Sequence, residues 1–284
     1  MQDFLSILIS GLITGSIYAL LAGGLTLIWG VMRIVNLAHG EFLMLGAFAT
    51  YYFFPLVGGP PLLGILIIAP GFFLLGALIY LVVIKHVVNA PELMSLLLAF
   101  GVSIFIINVS VLIWSGEMRI VEYLTGSFEM GGVFVSRPRA LAGIVAVTIS
   151  LGMFLFLQKT RIGMAIRAVA FDKEMAEQCA INSGKIYLIV FGLGTALAAT
   201  AGNLASTIFA FNPLAGQQFI LKAFAVTVLG GMGNFLGALI GGLIIGEVEQ
   251  IIAYLFDAQI SAAVAFIAII GTLLFRPKGI LGGS

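Results

Sequence analysis

A chain of 284 residues that is 61% hydrophobic and only 9% charged, with a mean hydropathy of +1.20, cannot hide its apolar surface in water. A net charge of +1 offers nucleic acid no basic surface. The single cysteine, Cys179, excludes an internal disulfide, and no cysteine or histidine spacing suggests a metal site.

At about 20 residues per spanning helix, the length allows an all-α integral membrane bundle of eight or nine crossings in one domain. Apolar segments are predicted at about 5–32, 37–56, 61–85, 92–115 and 139–158. A polar loop over 159–184 follows, then segments at about 185–211, 218–231, 234–256 and 260–276. The start, Met1-Gln2-Asp3, has no basic region before its apolar run, so the first segment is expected to remain as a helix. Pro55, Gly58, Gly59, Pro60 and Pro61 divide the second and third segments, and Pro91 opens the fourth. The segment from Phe219 to Gly231 is short for a crossing and ends in a glycine cluster around Met232. It reads as a broken or re-entrant helix, which a bilayer permits only where protein shields the backbone.

With nine crossings and the N-terminus outside, nine of the thirteen basic residues fall inside: Arg33, Lys85, Lys159, Arg161, Arg167, Lys173, Lys185, Arg276 and Lys278. Arg119, Arg137 and Arg139 fall outside, among Glu117, Glu122 and Glu129. This bias satisfies the positive-inside rule and puts the C-terminus in the cytoplasm.

An internal repeat is visible. Residues 36–49 align without gaps on 212–225, with six of fourteen positions identical, including Asn36 with Asn212 and Gly40 with Gly216. The copies follow spans of opposite direction, which predicts an inverted repeat of the kind transporters use. The halves run over about 5–115 and 185–277, with 139–158 as the linking span and 159–184 as one long cytoplasmic loop. Small residues at helical spacing, Gly11, Gly15 and Ala19, then Gly237, Gly241 and Gly242, predict close helix packing.

The loop 159–184 has helical character. Ile162, Ala165, Ile166 and Val169 share one face, with Met175 and Cys179 on a later turn. Such an amphipathic pair either docks on another protein or lies on the membrane surface. Within the spans, Asn36, His39 and Glu41 stand together at the start of the second. They either cap and charge that helix or line a gate. Glu247 and Glu249 lie deep in their span, where ionisable groups normally face a cavity or a partner. Glu247, Gln250 and Tyr254 share a face and Glu249 points elsewhere. Lys222, inside the short segment, is a further candidate for the pathway.

Several of these stretches resemble the branched-chain amino acid ABC transporter permeases of the LivH type. They are Gly15 to Leu20, Gly24 to Leu27, Asn36 to Glu41, Val228 to Gly233 and Leu274 to Gly279. The loop adds Thr160 to Gly163, Arg167-Ala168, Asp172, Met175-Ala176 and Ile181-Asn182. The resemblance implies a type II importer-like permease, N-terminus outside and C-terminus cytoplasmic, in a bacterial or archaeal cell membrane. It implies no catalytic site and no cofactor on this chain, with ATP and Mg²⁺ held by partner subunits. Those partners would be a second homologous permease, two cytoplasmic ATPases and an extracellular binding protein. It assigns ATPase coupling to Arg161, Gly163, Arg167, Ala168, Asp172, Met175, Ala176, Ala180 and Ile181. Two positions depart from the family pattern: Met164, where a basic residue is common, and Ala180, where glycine is usual. Alanine tolerates a helix at 180 but not easily a left-handed turn. Relatives carrying urea or short amides, and a self-contained secondary transporter, are the alternatives in function. The coupling loop speaks against the latter, which needs no ATPase dock.

Overall fold

The computed structural model describes residues 2–57, 60–124, 126–130 and 133–282; the predicted turn glycines Gly58 and Gly59 lie outside them. The first half comprises α1 (Gln2–Met32), α2 (His39–Val57), α3 (Ile65–Val82) and α4 (Glu92–Trp114). Single-turn 3₁₀ segments, Pro61–Gly64 and Ile84–His86, flank α3. A two-stranded hairpin, β1 (Ser127–Met130) and β2 (Val133–Ser136), leads into α5 (Arg137–Lys159). The polar loop folds into α6 (Arg161–Phe171) and α7 (Lys173–Gln178). The second half comprises α8 (Ser183–Ala205), α9 (Ala215–Gly230), α10 (Phe235–Leu255), α11 (Ala258–Ala262) and α12 (Val264–Phe275).

Six of the described segments are long and apolar enough to cross a membrane: α1, the α3 segment with its flanking turns, α4, α5, α8 and α10. The predicted count of eight or nine included α2, α9 and α12. These are shorter, at 16 and 12 residues for α9 and α12, or begin with charged and polar groups, as α2 does at His39 and Glu41. The predicted segment at 260–276 is split by a break between α11 and α12.

Burial places α8 at the centre, while α3, α4 and α12 present Leu66, Leu74, Leu112, Ile270 and Leu274 outward. That is the apolar belt that lipid requires. Glycines set the spacing of the interior helices. A side chain on Gly15 would lie 2.7 Å from the Gly242 carbonyl of α10, and one on Gly242 would lie 2.6 Å from Ala19 of α1. The predicted small-residue stripes therefore meet each other, α1 against α10, while Gly237 and Gly241 back onto α9.

The helix partnerships follow the repeat. Pairing α1 with α8, α2 with α9 and α3 with α10 maps the α1–α10 interface onto α8–α3, and α2–α8 onto α9–α1. The α1–α8 and α2–α9 contacts map onto themselves. Each half thus packs its third helix against the first helix of the other. The two aligned asparagines make the same turn. The Asn36 side chain accepts from the Ala38 N–H at 3.2 Å, and Asn212 accepts from Leu214 at 3.1 Å. Their carbonyls accept from the N–H groups of His39 and Ala215. At the midpoint, Gly40 and its repeat counterpart Gly216 pack backbone to backbone.

One loop departs from a simple connection. Arg119 exchanges two backbone hydrogen bonds with Phe211, each 2.8 Å. Its guanidinium donates to the Tyr52 hydroxyl at 2.5 Å and lies over the rings of Tyr51 and Tyr52, 5.2 and 5.6 Å away. Arg119, placed by the sequence only among the outer loop charges, thus clamps this loop to α2 and to the segment after α8.

Candidate functional site

The segment between α5 and α8 is built around side-chain caps at each of its joints. The Thr160 hydroxyl accepts from the Gly163 N–H at 3.0 Å and starts α6. The Asp172 carboxylate accepts from Met175 at 3.0 Å and starts α7. Asn182 accepts from Lys185 at 3.0 Å and starts α8. Each cap contributes about 1 kcal/mol and fixes the angle at which the chain turns. Gly163 sits against the Phe156 and Leu157 carbonyls at the end of α5, where no side chain fits. Arg167 folds back to donate to the Leu157 carbonyl, and Ser183 donates to Glu177 across the α7–α8 joint. Lys173 donates to Asn89 at 3.2 Å.

The face buried against the bundle is Gly163, Ile166, Val169 and Ala176. Of the predicted apolar face, Ile166 and Val169 are buried and Ala165 is half-buried, while Ile162 is exposed, as are Met175 and Cys179 on the later turn. Ile162 lies one turn before Ile166 on the same side of α6, at the helix start, where it is left 44% exposed. Met164 and Phe171, which is 92% exposed, lie on the side of α6 opposite its buried residues, and Ile162 at the start of α6 and Met175 of α7 are exposed as well. Arg161 is exposed beside them, and Ala168 is half-buried.

Ala180 adopts a left-handed conformation, φ 62°. Ile181 N–H bonds back to the Ala176 carbonyl and Ala180 N–H to Glu177, both at 3.0 Å, the paired pattern of a glycine-type helix stop. The bend that alanine disfavours is therefore formed, at a conformational cost of about 1 kcal/mol. Ala180→Gly is expected to remove that cost. Amide exchange at Ile181 should slow about fivefold, and an unchanged rate would show that the turn is unstrained.

A cavity of about 640 Å³ lies behind α6. Its walls include Val31 and Arg33 from the end of α1, Phe154 of α5, Arg167 of α6, and Asn234 and Phe235 at the α9–α10 turn. Phe171 lines the cavity too, so part of the exposed apolar surface of α6 borders this open space.

The intramembrane candidates fall into three separate places. Asn36, His39 and Glu41 are fully buried where the two halves meet. His39 Nε2 lies 3.0 Å from the Leu21 carbonyl. Ser103 donates to Glu41 Oε1 at 3.1 Å, while Oε2 rests against Gly216 in the first turn of α9. That α9 turn has no side-chain cap of its own, so the acid stands at the end of the helix dipole that favours it. Glu247 faces α1 at Gly11. Glu249, pointing elsewhere, forms an ion pair with Lys222 at 2.6 Å. Lys222 also donates to the Tyr18 hydroxyl at 2.6 Å. Tyr18 was not among the expected site residues: an isolated tyrosine in an apolar span carries no periodic signal. Ser103, Thr26 and Thr227 were missed for the same reason; the last two bond across the halves at 3.2 Å.

Residues 7–273 match the family described as the branched-chain amino acid transport system permease component. The chain is 36% identical to the high-affinity branched-chain amino acid transport system permease protein BraD of Pseudomonas aeruginosa, covering 98% of this chain and 96% of that protein. It is 33% identical to the corresponding LivH protein of Escherichia coli, with the same coverage. Among solved structures, PsaBC from Streptococcus pneumoniae in complex with Fab is similar in fold. Its TM-score is 0.51 at 14% identity, covering 95% of this chain and 91% of that one. The multi-pass helical bundle, its central repeat contacts and these matches together make the chain a member of the branched-chain amino acid transport system permease component family.

Proposed function

We propose that this chain is the permease subunit of an ATP-driven importer of branched-chain amino acids, moved by ATPase subunits docked on α6 and α7. The observation that carries the reading is the exposed apolar side chains, Met164 and Phe171 on one side of α6 with Ile162 and Met175 nearby, on a segment whose every joint is capped. A rigid lever with a sticky outer surface suits a push from outside. The substrate class is supported by what BraD and LivH are named for.

The nine inward basic residues support an orientation with α6, α7 and the C-terminus in the cytoplasm. In this reading a binding protein delivers the amino acid on the opposite side, and a second permease completes the pathway. ATP and Mg²⁺ are held by the ATPases. Closure of the ATPase pair presses α6 toward the cavity behind it. The force passes through Gly163 and Arg167 to the end of α5, and through the Ala180 turn to α8 at the centre of the bundle. The bundle then switches its access from one side to the other as packed bodies, with no covalent step. Arg167 and Asp172 serve by holding the lever's shape. The test is whether leucine uptake into vesicles requires the ATPases and ATP.

A further inference from the structure

We propose that Lys222, Glu249 and Tyr18 receive the charged head of a zwitterionic α-amino acid as it passes through the bundle. This inference rests on the importer reading above and names the residues that handle its cargo.

Lys222 and Glu249 form the ion pair seen among the described residues, Lys222 on the short α9 and Glu249 on α10, which is long enough to cross a membrane. Packing does not explain such a pair. Apolar side chains of similar size stabilise a low-dielectric site as well or better, because two charges need not be stripped of water. Charges kept at membrane depth normally serve transport.

The pair is also reachable. The side chains are 22% and 13% exposed. Gln217 and Gln218, one turn earlier on α9, are exposed, and Gln250 beside Glu249 is half-buried. On α3, α4 and α12 the outward residues are mostly apolar, with Asn108 the polar one in mid-helix on α4. The α9–α10 face therefore groups charged and amide side chains together on a mostly apolar exterior, which suits a pathway or a partner more than lipid.

The chemistry of this group selects its occupant. An α-amino acid carries a carboxylate and an ammonium on one carbon and has no net charge. Placed between Lys222 and Glu249, its carboxylate meets the lysine and its ammonium meets the glutamate. One ion pair becomes two, and no uncompensated charge enters the membrane. A plain cation or anion would leave one protein charge unpaired, at large cost. The Tyr18 hydroxyl, which accepts a hydrogen bond from Lys222, stays as a third contact while the pair opens. The Lys222 ammonium lies 4.8 Å from the Tyr18 ring centre and 5.9 Å from that of Phe219. These rings, with Phe209 edge-on to Phe219 at 6.2 Å, give an apolar cargo side chain an aromatic wall beside the charges.

The test uses the full complex in vesicles: both permeases, the ATPases and the binding protein. Two variants are compared with the wild type, the exchanged pair Lys222→Glu with Glu249→Lys, and Glu249→Gln. Assembly, ATP hydrolysis and uptake of labelled leucine per ATP are measured. The exchanged pair keeps an ion pair between α9 and α10, so a purely structural role predicts normal uptake. The proposal predicts normal assembly and hydrolysis with uptake per ATP about tenfold lower, since the cargo must then enter head-reversed along the aromatic wall. Glu249→Gln keeps shape and hydrogen bonding but loses the partner of the ammonium, and should fall by a similar factor. Wild-type uptake by the exchanged pair, or its failure to assemble, would overturn the proposal. Absence of uptake by the wild-type complex would instead bring down the importer reading beneath it.

Discussion

Gly40→Val is expected to leave no folded permease in the membrane, because Gly40 and Gly216 bring the two halves into backbone contact. A side chain at 40 would strike the Gly216 carbonyl and lie 2.9 Å from Cβ of Ile220. These atoms are main chain or the root of a branched side chain, so nothing flexible yields. Even Gly40→Ala should cost about 3 kcal/mol, the upper range for overpacking a tight interface. Valine adds two methyl groups to the same collision. In a bilayer this loss is not recovered by burying apolar area elsewhere, since close van der Waals packing is what holds the helices together. The contrast is Gly101, which has no neighbouring atom within 4 Å. Gly101→Ala should be neutral or raise stability by up to about 1 kcal/mol, the helix preference of alanine over glycine. Thermal unfolding in detergent, with yield of monodisperse protein, checks both. Equal tolerance at the two positions would show that the contact between halves is not tight.

Gly163→Val separates folding from coupling. The added side chain meets the Phe156 and Leu157 carbonyls, at 2.5 Å for the first. The α6 helix must then lift from the end of α5, and the Arg167 bond to Leu157 is lost with it. The interfaces of α1, α8, α9 and α10 do not involve this point. The variant should therefore reach the membrane folded. ATP hydrolysis should persist, while uptake falls roughly tenfold, the factor given by about 1.4 kcal/mol of lost coupling. Asp172→Ala, which removes only the α7 cap, should have a smaller effect of about 1 kcal/mol on the segment. If Gly163→Val transported like the wild type, α6 would not be the lever.

The helices were legible where apolar length alone decides them. α1, α4 and α5 begin and end within a few residues of the expected limits, because nothing but membrane thickness sets them. The repeat was legible as six identities, and its meaning rested on Asn36 and Asn212, whose turns match bond for bond. What periodicity could not show was which apolar residues of α6 and α7 the bundle leaves uncovered, such as Ile162 and Met175. Nor could it pair Lys222 with Glu249 and Tyr18. These residues are 27 and 204 positions from Lys222, and only the crossing of α9 with α10 and α1 brings them together. Arg119 illustrates the same point: the sequence places it only among the outer loop charges, and the fold sets aromatic rings from α2 around it. The left-handed Ala180 is a case where local preference and structure disagree, with the two hydrogen bonds to Ala176 and Glu177 outweighing the strain.

The measurement that tests the importer reading most directly is uptake of labelled leucine by vesicles containing the complex, with ATP on the side of α6 and α7. The account predicts accumulation that requires ATP, stops with an ATPase that binds but does not hydrolyse it, and vanishes when the ATPase subunits are omitted. Leucine accumulation by this permease in the absence of any ATPase would contradict it.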